Sequence, residues 1–407
     1  MVVKAFKYRI YPTKTQEVLL SKHFGCSRFI YNWGLEQKVK AYTETKKSVS
    51  KYTLALELPK LKKSEDTKWL SEVNAQSLQQ SLIYLDMAFT RFFKEKKGFP
   101  KFKSKHDSRQ SFSIPQDTKV NFDNNRVYIP KFKEGIKCRF SRKFDAKIKS
   151  STVSRTPTGK YFISILVETN DSIPNKAPID ENKAVGVDLG IKTFATLSDG
   201  IEIQNPKHLK KALKKLKRLQ RSVSRKVKGS NSRKKAVKLL ARQYEKVTDK
   251  RKDFLHKTSR WLIDHYDTIC LETLSASNML KNHRLAQALQ DIGISTFNAY
   301  MDYKAEWYGK SIIRIGRFEP SSKMCSCGHI HSGLKLSDRV WTCPSCGAVN
   351  QRDLLAAQNV KKFAFKLNNT ARTAEIHAED LMTPVRGSSL GNIALHVRVV
   401  HRVTSCY

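Results

Sequence analysis

The sequence predicts an α/β chain built from several domains. Three observations carry that reading. Helical spacing dominates the first hundred residues and gives way to short alternating runs up to about Thr169. Two later apolar runs, Ala184–Asp188 and Thr268–Glu272, read as buried strands, and each ends on an acid. Four cysteines cluster in two pairs further on, between Cys325 and Cys346. A chain of 407 residues with 40% hydrophobic content has room for about two to four domains with sizeable cores.

Taken in order, residues 2–12 alternate and read as a strand ending at Pro12. Thr13 or Thr15 is placed to cap the following helix, where Leu19, Leu20, Phe24, Phe29, Ile30 and Trp33 fall near helical spacing. A second helical block runs from about Ser50 to Lys97 and is strongest between Val73 and Phe93. From Gly98 to about Thr169, runs such as Tyr161–Val167 are broken by Gly, Pro, Asn and Asp. This is the pattern of antiparallel strands, read here as a small barrel that includes the first strand and is interrupted by the helices.

Asp171 to Lys183 reads as a linker, and Ala184–Gly200 as two apolar strands around Gly190. Between Lys207 and Lys252 there are 20 lysines and arginines against two acids, Glu245 and Asp249. That imbalance is too lopsided for a salt-bridged surface helix and favours a nucleic-acid face, with Lys214, Lys215, Arg218 and Arg221 as candidate contacts. Gly229 is expected to break this region into a helical hairpin. A strand over Thr268–Glu272, a helix over Leu285–Lys310, a strand over Ser311–Ile315, the cysteine module over about Pro320–Val349 and a helix over Asp353–Phe365 complete the ordered part. The last forty residues have no sustained period and read as disordered.

Charge narrows the partners. With 77 lysines and arginines against 36 acids, the formal net charge is +41, and a polyanion would relieve the self-repulsion. Nucleic acid leads. An anionic membrane is second, but no stretch approaches the ~18 apolar residues that span one. The charged N-terminus does not read as a signal peptide.

Asp188, Glu272 and Asp353 each stand at the edge of an element, the first two at strand ends and the third at a helix start. Sheets of this class present functional groups at strand ends, so the three acids can converge. Converging carboxylates repel and would take up protons unless divalent cations hold them. Two Mg²⁺ ions at such a site can drive in-line phosphoryl displacement, which points to a nuclease. Cys325, Cys327, Cys343 and Cys346 lie within 22 residues, as C-x-C and C-x₂-C pairs separated by 15 residues. They point to one structural Zn²⁺ in a reducing compartment, with His329 or His331 near enough to replace a sulfur. In the helical block, Asn74, Gln76, Gln79 and Gln80 form an amide-rich patch of a kind that can read adenine edges, although capping and helix surface explain it equally. Lys101 and Lys103 flank Phe102 and could hold phosphate.

Motif order is more specific than any of these signals alone. Gly-Val-Asp-Leu-Gly-Ile-Lys, then Leu-Glu-Thr-Leu, then Pro-Ser-Ser-Lys with the cysteine pairs, then Arg-Asp-Leu-Leu-Ala-Ala-Gln-Asn, resembles the TnpB family of transposon-encoded RNA-guided DNA endonucleases, related to type V CRISPR effectors. Tyr-Arg-Ile-Tyr-Pro-Thr and Lys97–Lys103 extend the resemblance to about residues 1–365.

The resemblance implies an RNase H-like (RuvC) nuclease domain over 181–319 and 350–366 and a zinc ribbon inserted at 320–349. It also implies a wedge β-barrel over 1–13 and 98–180, a helical recognition domain over 14–97, and a tail over 367–407. Asp188, Glu272 and Asp353 match the three metal-binding carboxylates, and the four clustered cysteines match the ribbon ligands. Implied partners are a guide RNA from the transposon end and double-stranded target DNA beside a short flanking motif. The protein would act as a monomer within a ribonucleoprotein, in the prokaryotic cytoplasm at the nucleoid.

Two positions depart from the family pattern: the C-x-C pair, and Leu355 where Asn is usual. Positions 353 and 355 point about 200° apart on a helix, so Leu355 is expected to pack away from the metal site. Two other readings stay open: a guided DNA-binding repressor without cleavage, and a transposase acting directly on DNA. No helix-turn-helix module is evident for the latter.

Overall fold

The computed structural model describes residues 2–380 apart from 109, 275 and 336. The chain divides into two compact units, 1–172 and 173–407. No helix among the described residues is long and apolar enough to cross a membrane.

The first unit opens with β1 (Val2–Tyr11) and the 32-residue helix α1 (Lys14–Thr45). Thr13 is the cap: its hydroxyl accepts from the Gln16 amide, and the Gln16 side chain accepts from the Thr13 amide, a full capping box. Helix α2 (Lys51–Lys63), a 3₁₀ segment (Glu65–Glu72) and α3 (Ala75–Glu95) follow. Cys26 and Ile30 of α1 meet Leu54, Leu58, Leu70, Leu78 and Leu82 in one buried cluster. Helical spacing on three segments thus produces a single apolar seam.

Six strands then join β1. They are β2 (Gln110–Ile114), β3 (Lys119–Asn121), β4 (Arg126–Tyr128), β5 (Ile136–Arg139), β6 (Lys147–Arg155) and β7 (Tyr161–Thr169). The antiparallel sheet has the order β2-β6-β7-β1-β5-β4-β3. The first strand therefore pairs with strands more than a hundred residues away, and the helices are an insertion. The alternation in β7 has its cause here: Tyr161, Ile163, Ile165 and Val167 all point into the core shared with Tyr8, Ile10, Phe24 and Phe112. Edge strands β2 and β3 are not paired with each other among the described residues, so the structure gives a seven-stranded sheet, and closure into a barrel stays an expectation.

The second unit has a five-stranded sheet of order β10-β9-β8-β11-β12. Strands β8 (Ala184–Leu189), β9 (Thr193–Leu197) and β10 (Glu202–Gln204) form an antiparallel meander. Helices α4 (His208–Ser224) and α5 (Asn231–His265) then cross to β11 (Thr268–Glu272), which lies parallel to β8. Gly229, at φ +92°, sits in the break between them. Next come α6 (Ala276–Met279), α7 (His283–Ile292) and α8 (Ile294–Trp307), leading to the parallel strand β12 (Ser311–Ile315). The single helix expected over Leu285–Lys310 is corrected to two, because Gly293 at φ +70° ends one and starts the other.

Beyond β12, the short pair β13 (Val340–Thr342) and β14 (Val349–Gln351) precedes α9 (Arg352–Asp380). Residues 367–380 continue this helix, which corrects the expected unstructured tail over that stretch; 381–407 lie outside the described residues.

One face of the second sheet packs Val185, Val187, Phe194 and Ile269 against Leu255 and Leu262 of α5 and Phe297 and Met301 of α8. The opposite face packs Cys270 and Ile315 against Val360, Phe363 and Ala364 of α9. This three-layer arrangement makes β8 and β11 continuous apolar runs rather than alternating ones.

Helix α9 lies on β8 with no room for a side chain at Gly186. A Cβ there would overlap the Ala357 carbonyl oxygen and come within 2.8 Å of the Lys361 amide nitrogen. Both are helix backbone and cannot swing aside. Gly186→Ala is therefore expected to destabilise the second unit by roughly 1–3 kcal/mol or more. Thermal unfolding checks this; an unchanged melting temperature would contradict the close approach.

Candidate functional site

The parallel pairing of β8 and β11 reaches Leu271 opposite Val187. One residue further on, each strand carries its acid, Asp188 and Glu272. Asp353 is the second residue of α9, and the close approach at Gly186 brings the start of that helix to the same sheet end. The three acids line one cleft of about 690 Å³.

The electrostatics follow from this convergence. Asp188 is pushed up to about 7, first by burial and then by the charges of Glu272 and Asp353, with Arg352 and Arg339 pulling the other way. The Ser321 hydroxyl donates to Glu272 Oε1 at 2.6 Å. Arg339 Nη1 donates to both carboxylate oxygens of Asp353, at 2.8 and 3.1 Å. Lys192, Lys207 and Lys210 also line the cleft. Asp291 lines it too, but its carboxylate accepts from the amides of Leu209 and Lys210 and so caps α4.

The cysteine module is built beside this cleft. All four sulfurs of Cys325, Cys327, Cys343 and Cys346 lie within 4.8 Å of one another, so the set could hold one metal ion. None of the four is in a disulfide. The short C-x-C pair converges because its turn is one residue tighter. Gly328 N donates to Cys325 O and Gly347 N to Cys343 O, both at 2.9 Å. Each glycine has a positive φ, the conformation that turns amides toward sulfur. Cys325 is pushed down to about 6, chiefly by the Cys327 backbone amide, with the Asn350 amide also donating to it.

His329 and His331 stand outside the sulfur cluster, and His331 packs edge-on against Trp341. Leu355 is buried with Cys325, Leu334, Trp341 and Cys343. It packs under the cysteine module and is not among the residues lining the cleft.

The other candidate contacts are placed as follows. In the first unit, Asn74 is the N-cap of α3, its Oδ1 accepting from Gln76 N at 3.2 Å, and Gln76 Nε2 donates to Gln116. Gln79 is exposed and Gln80 half-buried. Lys101 and Lys103 are both exposed along their length, but the Lys103 ammonium lies 3.8 Å from the Tyr31 ring centroid, and desolvation there pushes its pKa down. In the second unit, Lys214, Lys215, Arg218 and Arg221 are exposed along α4, opposite buried Leu216 and Val223. Sequence reasoning missed Ser321, Arg339 and Arg352. Ser321 carried a signal in the Pro-Ser-Ser-Lys motif and Arg352 in Arg-Asp-Leu-Leu; Arg339, between the cysteine pairs, is not distinguishable from other basic residues by spacing.

Comparison with known proteins adds the chain's relatives. The family described as "Probable transposase" matches residues 164–283, a "Cas12f1-like, TNB domain" matches 295–360, and a "Helix-turn-helix domain" matches 1–47. The last match falls on a segment read from sequence as having no such module. There the structure has β1 and one unbroken helix across 14–45.

A "Putative RNA-guided DNA endonuclease" of Streptomyces pristinaespiralis is 41% identical over 362 residues, 88% of this chain and 89% of that one. The "Putative RNA-guided DNA endonuclease InsQ" of Escherichia coli (strain K12) is 31% identical over 373 residues, 88% and 91% of the two chains. Among solved structures, a Cas12f1–sgRNA–target DNA complex aligns with a TM-score of 0.46 at 14% identity, covering 88% of this chain and 98% of that one. With relatives this similar over nearly their whole length, the chain belongs to the TnpB family.

Proposed function

We propose that this protein is a transposon-associated RNA-guided DNA endonuclease, and that it cleaves by hydrolysis at Asp188, Glu272 and Asp353. The observation that carries the site is their convergence. Three carboxylates from two adjacent strand ends and a helix start line one cleft, and mutual repulsion with burial holds Asp188 near 7. The relatives' printed names supply the guide and the substrate.

The donor set fits a hard divalent cation. It is all oxygen, and its like charges are in conflict until a cation resolves it. Two Mg²⁺ ions bound there would supply the Lewis acidity that activates water and stabilises the leaving oxygen. The chain's own residues do the rest. Asp188 and Glu272 are fixed by paired strands, and Ser321 orients Glu272. Lys192, Lys207 and Lys210 offer positive charge at the cleft to a phosphate backbone. The exposed basic face of α4 extends that charge along a nucleic acid.

In this reading the second unit is the RuvC-like nuclease over 181–319 and 350–366, with its zinc ribbon at 320–349. Residues 1–13 and 98–180 form the wedge, and 14–97 the recognition helices. The four thiolates hold one zinc ion for structure, since a closed set leaves no position for water. Base pairing by the guide supplies sequence specificity that the diffuse positive charge lacks. Against the repressor alternative stands the intact acid triad, and the burial of Leu355 with the cysteine module supports a packing role for it. The test is cleavage of a matched duplex, beside its flanking motif, by the chain with and without its guide RNA. Cutting should require the RNA and follow its sequence. Target-selective cutting by RNA-free protein would overturn the proposal.

Asp188→Ala, Glu272→Ala and Asp353→Ala should each reduce cleavage by at least about a thousandfold while guided DNA binding stays within a few-fold, because affinity comes from many Lys/Arg–phosphate contacts elsewhere. Gel-shift and cleavage assays on the same preparations separate the two; near-parental cutting by any one variant would remove that residue from the site.

Asp188 also sets a pH dependence. A carboxyl that titrates near 7 must lose its proton to bind a cation. Cation affinity should level off above pH 7 and weaken below it, by about tenfold between pH 8 and pH 6. Calorimetric titration of the RNA-free chain checks the sign, and equal affinity at both values would contradict it.

Cys343→Ser or Cys346→Ser should lower zinc content and folded yield together. Well-folded protein without zinc would show that the cysteine set is not a structural metal centre.

A further inference from the structure

The cleft contains two arginines whose situations differ. Arg352, the first residue of α9, is buried and committed: it donates to Lys335 O at 2.8 Å and to Ser322 Oγ at 3.4 Å. These contacts tie the cysteine module to the helix. Arg339 is half exposed, and its partner Asp353 is one-third exposed. The only salt bridge of Arg339 among the described residues is the pair with Asp353, and its charge also acts on Asp188. Its backbone stays beside the site whatever its side chain does, because Arg339 O accepts from Arg352 N at 2.8 Å and the next residue, Val340, pairs with Gln351. Among the described residues neither Asp188 nor Glu272 has an ion-pair partner.

We infer that Arg339 is an internal counter-ion: it pairs with both oxygens of Asp353, and a divalent cation must compete with it to bind. The inference rests on the carboxylate reading above. One guanidinium nitrogen straddling both oxygens takes up one lone pair on each and places a positive charge where a cation would sit. A pair this exposed is weak and can open. Arg339 thereby acts through Asp353, as a positioning residue that sets how readily the site loads. A purely structural staple between module and helix would share the same contacts, but it predicts the opposite effect of removal.

The test is Mn²⁺ binding to the RNA-free full chain at pH 8, read from the electron paramagnetic resonance signal of free Mn²⁺, with zinc content confirming that each preparation is folded. Arg339→Ala and Arg339→Gln should bind Mn²⁺ about fivefold more tightly than the parent. The glutamine variant keeps a hydrogen-bond donor and removes only the charge. Unchanged or weaker binding in zinc-replete variants overturns the inference, while dependence on Asp188 and Glu272 leaves the carboxylate reading standing. If Asp188→Ala and Glu272→Ala do not weaken Mn²⁺ binding in the parent, the carboxylate reading fails and the inference with it.

Discussion

Three carboxylates held in one partly buried cleft repel one another, and much of the second unit is arranged around that conflict. The acids cannot relax apart. Two sit one residue beyond the register of adjacent parallel strands. The third starts a helix whose backbone lies against Gly186. The repulsion is expressed in Asp188, which burial and its neighbours hold near 7. It is moderated by Arg339 on Asp353 and by the Ser321 hydroxyl on Glu272. Both moderating groups come from the segment that carries the cysteines, so the cysteine module and the acidic cleft form one construction. Asn359 reinforces it, donating from α9 to the backbone oxygens of Ser321 and Met324.

The same constraint gives the charge distribution its sense. In the proposed function, a site of concentrated negative charge would face a substrate that is itself a polyanion. In the proposed reading, cations in the cleft would reverse the local sign, while the exposed lysines and arginines of α4 would supply attraction away from the reacting atoms. Affinity and chemistry are thereby placed on different groups.

Much of this was legible in the sequence because its signals are local. Asp188 and Glu272 close runs too apolar to be anything but buried strands, and Cys343, Pro344, Ser345 and Cys346 spell a metal turn. The C-x-C pair looked one residue short; Gly328 closes its turn one residue earlier, which spacing alone does not reveal. Leu355 was read correctly as facing away from Asp353, since helical geometry requires it, but its neighbours Trp341 and Leu334 come from the module and could not be named in advance. Arg339 was missed because nothing in the linear sequence sets one arginine apart from many others. Asn74 caps its helix, the bland alternative weighed for it. The break at Gly293 was lost inside an apolar pattern that continues across it.

The central claim is that the three acids form one cation site, and the most direct measurement is anomalous diffraction from crystals of the chain soaked in Mn²⁺. The account predicts anomalous density bounded by Asp188, Glu272 and Asp353, with the Arg339 side chain moved off Asp353. Saturating Mn²⁺ with no density in the cleft, and the Arg339–Asp353 pair intact, would contradict it.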